Sequence, residues 1–376
     1  MTQIATRFTF MVLAGAAAVA LLAGCAATSA SPSPTRTAQP VPSASVTSAP
    51  AGAVAPHGEP VEVTTRLVTP WSIAFDGATA LISERNTGNI LEVTGDTTRV
   101  IGSIPGVVQQ GESGLLGIAV DDQRRLYVYS TGGDGNRIQR FPLTGVSGSL
   151  ALGDGETILD GIPAASYHDG GRIAFGPDGM LYATTGDAGQ RTAAQDLQSL
   201  GGKILRMTPD GGVPADNPIP DSLIYSYGHR NPQGIAWAED GTMFAAEFGQ
   251  DTWDELNIIT PGGNYGWPTV EGIAGNSDFI DPVQQWNPDD ASPSGIAIAG
   301  GTVFIANLRG QTLRAIPVTD PSTSTDYYGG TYGRIRHVTQ APDGQLWFLT
   351  SNTDGYGSGP RDGDDRLLSV PLTIQP

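Results

Sequence analysis

The chain has 376 residues, of which 51 are Gly and 28 Pro, with 15% charged residues and a formal charge of −18. So few charged residues exclude a long helical bundle or coiled coil, and Gly plus Pro far above the usual roughly 12% points to a turn-rich, all-β protein with a sizeable core. The acidic balance argues against nucleic acid as a partner, because binding phosphates needs a basic surface.

At the N-terminus, Arg7 precedes an uninterrupted run of apolar or small residues from Phe8 to Gly24. The run falls short of the ~20 residues of a comfortable transmembrane helix and fits a secretion signal. It ends Leu22-Ala23-Gly24-Cys25, which resembles a bacterial lipoprotein signal. That resemblance implies cleavage before Cys25 and lipidation of its thiol. Cys25 is the only cysteine, so the chain can form neither an internal disulfide nor a multi-cysteine zinc site. Residues 26–59 lack aromatics and are rich in Ser, Pro, Ala and Thr. They cannot bury enough apolar surface to offset their ordering entropy, and read as a flexible tether. The expected organisation is a signal over 1–24, a lipidated Cys25 with its tether to residue 59, and a folded domain over 60–376.

A repeat then organises the chain. A short apolar strand recurs as Ser72–Phe75, Gly117–Val120, Arg172–Phe175, Gly234–Trp237, Gly295–Ile298 and, in weaker form, Arg336–Thr339. Each copy is followed by a turn, such as Asp76-Gly77, Asp178-Gly179, Asp240-Gly241 or Asp343-Gly344. Asp-Gly and Gly-Gly suit the positive backbone angles of tight hairpins. Second strands follow at Ala80–Ser83, Leu126–Ser130, Leu181–Thr185, Met243–Ala246, Val303–Ala306 and Leu346–Thr350, and third strands from Ile90, Ile138, Ile204, Leu256, Leu313 and Leu367. Six copies of about 53 residues suit four-stranded blades, hence a six-bladed β-propeller rather than a β-sandwich. The Ile-Ala strands are expected to be innermost, which places the residues just before them at the mouth of a central channel.

Polar residues gather at those entrances. His168 lies four residues before an inner strand, followed by Gly170 and Gly171. A neutral imidazole there can accept a proton, although a loop histidine bonded to solvent or backbone fits the same spacing. Arg230, Asn231 and Gln233 precede the fourth inner strand and suit either an anionic, carbonyl-bearing ligand or a network between blades. His229 reads as structural. Arg334 and Arg336 alternate onto one strand face, where two like charges call for an anion or for salt bridges to Asp. Arg309 is placed to join them, outlining a multi-carboxylate site. The bend Glu247–Glu255 can turn carbonyls toward a hard cation or be an ordinary acidic turn. The acidic segment Asp354–Asp365 reads as a solvated turn. No Gly-x-Ser-x-Gly elbow, phosphate loop, dinucleotide fingerprint or His-Glu-x-x-His motif appears.

In combination and order, Gly114–Gly117, His168–Gly179, Thr185-Gly186-Asp187, Leu200–Arg206, Gly228–Gly234, Asn264–Pro268 and Gly333–Arg336 resemble the glucose/sorbosone dehydrogenase family. These are soluble six-bladed enzymes that use pyrroloquinoline quinone (PQQ). The resemblance spans essentially all of residues 60–376. It implies His168 as general base, Arg230 and Asn231 in contact with quinone and substrate, and Arg334 and Arg336 on the cofactor carboxylates. Arg309 would assist, and Ca²⁺ would bind the backbone carbonyls of Gly249 and Gln250. The implied reaction oxidises the C1 hydroxyl of an aldose to a lactone, with an electron acceptor that the sequence does not name. Four positions depart from the family pattern. Glu112 replaces glutamine at a cofactor-site position, Phe248 and Gln250 replace more typical polar and proline residues at the metal bend, and Asp290 stands where a small hydroxyl residue is usual. A non-catalytic propeller binding a saccharide or a protein is the alternative, with a metal-dependent lactonase behind it.

Overall fold

A computed structural model describes residues 52–357 and 359–375. The predicted signal, Cys25 and the tether as far as residue 51 lie outside the described residues. The rest is the expected six-bladed β-propeller. Listed from the axis outward, blade 1 comprises Pro70–Asp76, Thr79–Glu84, Asn89–Thr94 and Thr97–Ser103. Blade 2 comprises Leu115–Val120, Arg125–Gly132 and Gly135–Thr144, with Ala151–Leu152 and Glu156–Ile162 both pairing with the third strand. Blade 3 comprises Ile173–Phe175, Leu181–Thr185, Lys203–Met207 and Ile224–Tyr227, and blade 4 Pro232–Trp237, Met243–Glu247, Asp254–Ile259 and Gln284–Trp286. Blade 5 comprises Pro293–Ala299, Thr302–Asn307, Leu313–Pro317 and Thr325–Tyr327. Blade 6 takes Ile335–Gln340, Leu346–Thr350 and Leu367–Val370 from the C-terminus, and its outer strand, Val61–Thr64, from the start of the domain.

The apolar patterning follows from this stacking. A blade packs both faces against neighbours, so its middle strands cannot alternate polar with apolar. Thr79–Glu84 and Thr302–Asn307 are buried at every position. The buried apolar residues form six clusters, each dominated by one pair of adjacent blades, from Leu81 with Leu126 between blades 1 and 2 round to Ile82 with Leu349 between blades 6 and 1.

A second N-terminal strand, Val54–Pro56, pairs with Leu372–Ile374, and Thr302 Oγ1 both accepts from Val54 N and donates to its carbonyl. Ala55 is buried. The ordered domain therefore takes in residues before Pro60. The low aromatic content of that stretch does not show this, because backbone pairing at a sheet edge needs no large side chain.

Three of the recurring inner-strand glycines have a steric cause. A Cβ on Gly117 would lie 2.2 Å from the Gly171 carbonyl oxygen, one on Gly234 2.4 Å from that of Ser294, and one on Gly295 2.4 Å from the His337 ring. The inner strands converge on the axis and approach too closely for side chains there. Gly234→Ala should therefore cost about 2 kcal/mol or more in denaturant unfolding, within the range for overpacked cores. Gly133→Ala, in a turn with nothing within 4 Å of the new carbon, should stay within about 0.5 kcal/mol of wild type.

Candidate functional site

Antiparallel pairing sets which residues share the channel mouth. The starts of the inner strands pair with the ends of the second strands: Pro70 with Glu84, Pro232 with Glu247, Pro293 with Asn307 and Ile335 with Thr350. Residues just after each second strand therefore join those just before each inner strand. A cavity of about 400 Å³ forms there, lined by Trp71, Arg85, Glu112, Gln233, Phe248, Ser292, Leu308, Arg309, Arg334, Arg336 and Tyr356.

Its floor is cationic. Arg334 Nε and Nη2 donate to Asp354 Oδ2 at 3.0 and 2.9 Å, and Arg336 Nη2 reaches the same oxygen at 3.5 Å. Burial alone would raise the Asp354 carboxyl, but Arg336 and Arg334 hold it below its ordinary value. Burial pushes the Arg336 guanidinium down to about 10, against the pull of Asp354. Arg85 is also buried and donates to the Asp354 backbone carbonyl at 3.2 Å. The segment expected to be a solvated turn thus carries a buried counter-ion at Asp354 and a second buried carboxylate at Asp365, which accepts from Asn352 and Thr353. Their acidity is used inward, against arginines and free amides.

Asp354 is the one carboxylate in ion-pair contact with these arginines, although Glu112 also lines the cavity, and guanidinium donors are left over. Arg336 Nε and Asn231 Nδ2 are buried without a partner. Such orphaned donors fit an anionic ligand with several oxygens. Asn231 Oδ1 meanwhile accepts from Gly170 N at 2.9 Å, so this residue also ties blade 4 to the His168 loop. Arg309 lines the same cavity but is half exposed and pairs with Asp289, so it sits at the rim and not with the buried Arg334 and Arg336. Asp290 is exposed and does not line the cavity; its backbone carbonyl accepts from Arg314.

A second cavity, about 340 Å³, is lined by Tyr167, His168, Asp187, Gly189, Arg191, Arg230 and Gln250. His168 Nδ1 lies 2.7 Å from Asp187 Oδ1. Asp187 also accepts from Gly189 N and Trp267 Nε1, each at 2.8 Å. Burial would raise its carboxyl, but the His168 hydrogen bond and the other donors keep it below the ordinary range, ionised at neutral pH. An ionised partner fixes the proton of neutral His168 on Nδ1 and leaves Nε2 as the acceptor. The backbone is held equally firmly: His168 has φ 61°, unusual for a residue with a Cβ, and its amide donates to Glu112 Oε2 at 3.0 Å. Glu112 thereby links the two cavities. A Cβ on Gly186 would lie 1.9 Å from the His168 carbonyl oxygen, which explains the glycine before Asp187.

Arg230 is held by burial and contacts. Its Nη1 donates to the Phe248 carbonyl at 3.1 Å and its Nε to Gln250 Oε1 at 3.2 Å. Its Cζ lies 5.6 Å from the Trp267 ring centre, and that of Arg191 4.5 Å. His229, completely buried between Ser226 and Glu247, is structural as expected. The Gly249-Gln250 bend is fastened by Glu271, whose Oε1 accepts from the amides of Gln250, Thr252 and Trp253, and by Asp254, which accepts from Gly249 N. The Gly249 and Gln250 carbonyls accept no hydrogen bond among the described residues, which fits a hard cation. No group of three or more His, Cys, Asp or Glu able to hold a metal occurs among the described residues, so the other ligands of a cation here would be carbonyls, water or a bound molecule.

Sequence reading missed Arg85 and Asp354 and gave Asp187 no role. All three follow a second strand, as do Arg309, Gly249 and Gln250, which the sequence did single out.

Asp169, beside the base, generates a prediction. It is buried with Oδ2 unpartnered, and burial raises its carboxyl to about 6 against hydrogen bonds from Asn136 and Ala165. The folded state then holds a proton that the unfolded state has released, so this group's contribution to stability falls as pH rises from about 4 to 6. Asp169→Asn should flatten that slope in urea unfolding, a difference on the order of 2 kcal/mol across the window.

Comparison with known proteins identifies the family. The Glucose / Sorbosone dehydrogenase family model matches residues 67–357. The PQQ-bound aldose sugar dehydrogenase of Streptomyces coelicolor superposes with a TM-score of 0.81 at 47% identity, covering 86% of this chain and all of that one. An aldose sugar dehydrogenase of Escherichia coli is 31% identical over 77% of this chain and 89% of its own length. Quinoprotein glucose dehydrogenase B of Acinetobacter calcoaceticus is 30% identical over 58% of this chain, a match that spans only 55% of that relative. On the match over residues 67–357 and the six-bladed fold shared with these relatives, the chain belongs to the glucose/sorbosone dehydrogenase family.

Proposed function

We propose that this protein is a PQQ- and Ca²⁺-dependent aldose dehydrogenase that oxidises the C1 hydroxyl of a sugar to a lactone. We further propose that a lipid on Cys25 holds it at the extracytoplasmic face of the cell membrane. The observation that carries the enzymatic reading is the buried, ionised Asp187 on His168 Nδ1, beside Arg230 and one contact away from the arginine cavity. When bound, PQQ supplies the hydride acceptor at the reacting carbon, and Ca²⁺ adds positive charge beside it. The chain's own residues do the rest. Arg85, Arg334, Arg336 and Asn231 would hold the cofactor's anionic oxygens, with Arg309 at the rim. The Gly249 and Gln250 carbonyls would hold the cation. Asp187 orients the imidazole, and His168 Nε2 takes the proton from the C1 hydroxyl, as a general base must. Arg230, kept in place by Phe248 and Gln250, offers positive charge to the oxygens that face His168.

The alternative of a non-catalytic propeller rested on Glu112 and Asp290, and the outward position of Asp290 removes half of that basis. A metal-dependent lactonase requires carboxylate or Asn side chains converging on the axis, whereas the charged residues lining the mouth are four arginines and a single glutamate.

The decisive assay reconstitutes purified protein with PQQ and Ca²⁺ and follows dye reduction by several aldoses. Turnover together with a cofactor absorbance change is expected. Neither effect, alongside saccharide affinity that survives loss of Arg334 and Arg336, would establish the non-catalytic reading. His168→Ala should lower kcat by about 10²–10⁴-fold, the usual contribution of a general base, and leave PQQ binding intact. Asp187→Asn should lower kcat while changing KM little. Glu112→Gln keeps an acceptor for the His168 amide but removes a negative charge beside the arginines. It should tighten PQQ binding several-fold in a fluorescence titration.

A further inference from the structure

The channel below the arginine cavity contains a buried cation without an anion. There the six inner strands line a cavity of about 420 Å³ that includes Ser72, Arg172 and His337 and no Asp or Glu. Arg172 is 3% exposed and forms no salt bridge among the described residues. Its Nε donates to the Gln233 carbonyl at 2.9 Å, its Nη1 to Ser72 Oγ at 3.1 Å, and its Cζ stacks 4.0 Å over the Trp71 ring. Its Nη2 has no partner.

His337, 6% exposed, adds a second free donor. Its Nδ1 lies 2.8 Å from Ile73 N, which must donate to it, so the ring proton of the neutral imidazole is on Nε2. Nε2 makes no hydrogen bond to another described residue. Ser72 Oγ accepts from Arg172, which leaves its own proton free. The two larger groups meet at Gly295, where an added Cβ would lie 3.1 Å from Arg172 Nη2 and 2.4 Å from His337 Cδ2. The missing side chain at Gly295 is thus what admits the guanidinium and the imidazole together.

A buried guanidinium with only neutral partners is costly unless an opposite charge reaches it. Burial and the like charge of Arg336 also disfavour its charged form, yet arginine does not give up its proton in proteins. Apart from Thr339 and Gln340, the surrounding walls are Ile, Ala, Val, Phe and Trp, so a weakly hydrated, single-charged ion loses least on entering. We propose that Arg172 Nη2, His337 Nε2–H and the Ser72 hydroxyl form a binding site for one small monovalent inorganic anion of the halide class, closing the channel from the side opposite the cofactor cavity. This site is independent of the redox reading.

The test uses bromide and chloride. Wild-type crystals soaked in bromide should show an anomalous peak within hydrogen-bonding distance of Arg172 Nη2. In solution, replacing a bulky buffer anion by chloride at constant ionic strength should raise the wild-type Tm by several degrees. Arg172→Met should abolish that dependence. No bromide peak at Arg172 overturns the proposal whether or not the variant folds. A peak in the crystal with a wild-type Tm indifferent to chloride means an adventitious ion only and also overturns it, as does an Arg172→Met protein with the wild-type chloride response.

Discussion

Ring closure is the constraint on which the rest depends. Val61–Thr64 completes the sheet whose other three strands come from the C-terminal end, and Val54–Pro56 pairs with Leu372–Ile374 beside it. These pairings bring the two ends of the domain together, so all six inner strands face one axis. Each apolar cluster then has a blade on both sides, including the one between blades 6 and 1. Without closure, blades 1 and 6 would expose flat apolar faces, and Arg85 and Glu112 would not meet Arg334 and Arg336.

Convergence at the axis has two consequences. Where the strands crowd, glycine is required, at Gly117, Gly234 and Gly295. Where they leave space, long side chains cross the channel, and these are arginines. Arg336 is drawn toward Asp354 at the mouth, while Arg172 lies against Trp71 and reaches the cavity at the other end. Positive charge therefore gathers along the channel of a protein whose overall charge is −18. The outer surface says little about the ligand; the interior donors that lack partners say more.

The two cavities at the mouth are coupled through backbone as well as side chains. Glu112 lines one cavity and fixes the His168 amide in the other. Asn231 holds Gly170 with its oxygen and leaves its nitrogen free. Arg230 grips the Phe248 carbonyl beside the bend that offers its own carbonyls. Position of the base, orientation of the arginine and shape of the bend are set together, so a change at any one of them moves the others.

Much of this was legible in the residues. The repeat length, the Asp-Gly turns and the Ile-Ala strands specify the blades, because hairpin geometry and two-sided burial are local demands. His168, Arg230, Asn231, Arg334 and Arg336 stand out because residues before inner strands must face the mouth. Other features follow from partners far apart in the chain. Asp354 looks like one more acidic loop residue until Arg334 and Arg336 are beside it. Arg309 looks central until Asp289 draws it to the rim. Asp187 acquires its role only by meeting His168 and Trp267. Strand periodicity and turn chemistry act over a few residues, so sequence alone determined the propeller and which positions face its channel. Charge pairing and close packing act through space, so only the tertiary structure decided which carboxylates neutralise which arginines and which donors remain free for a ligand.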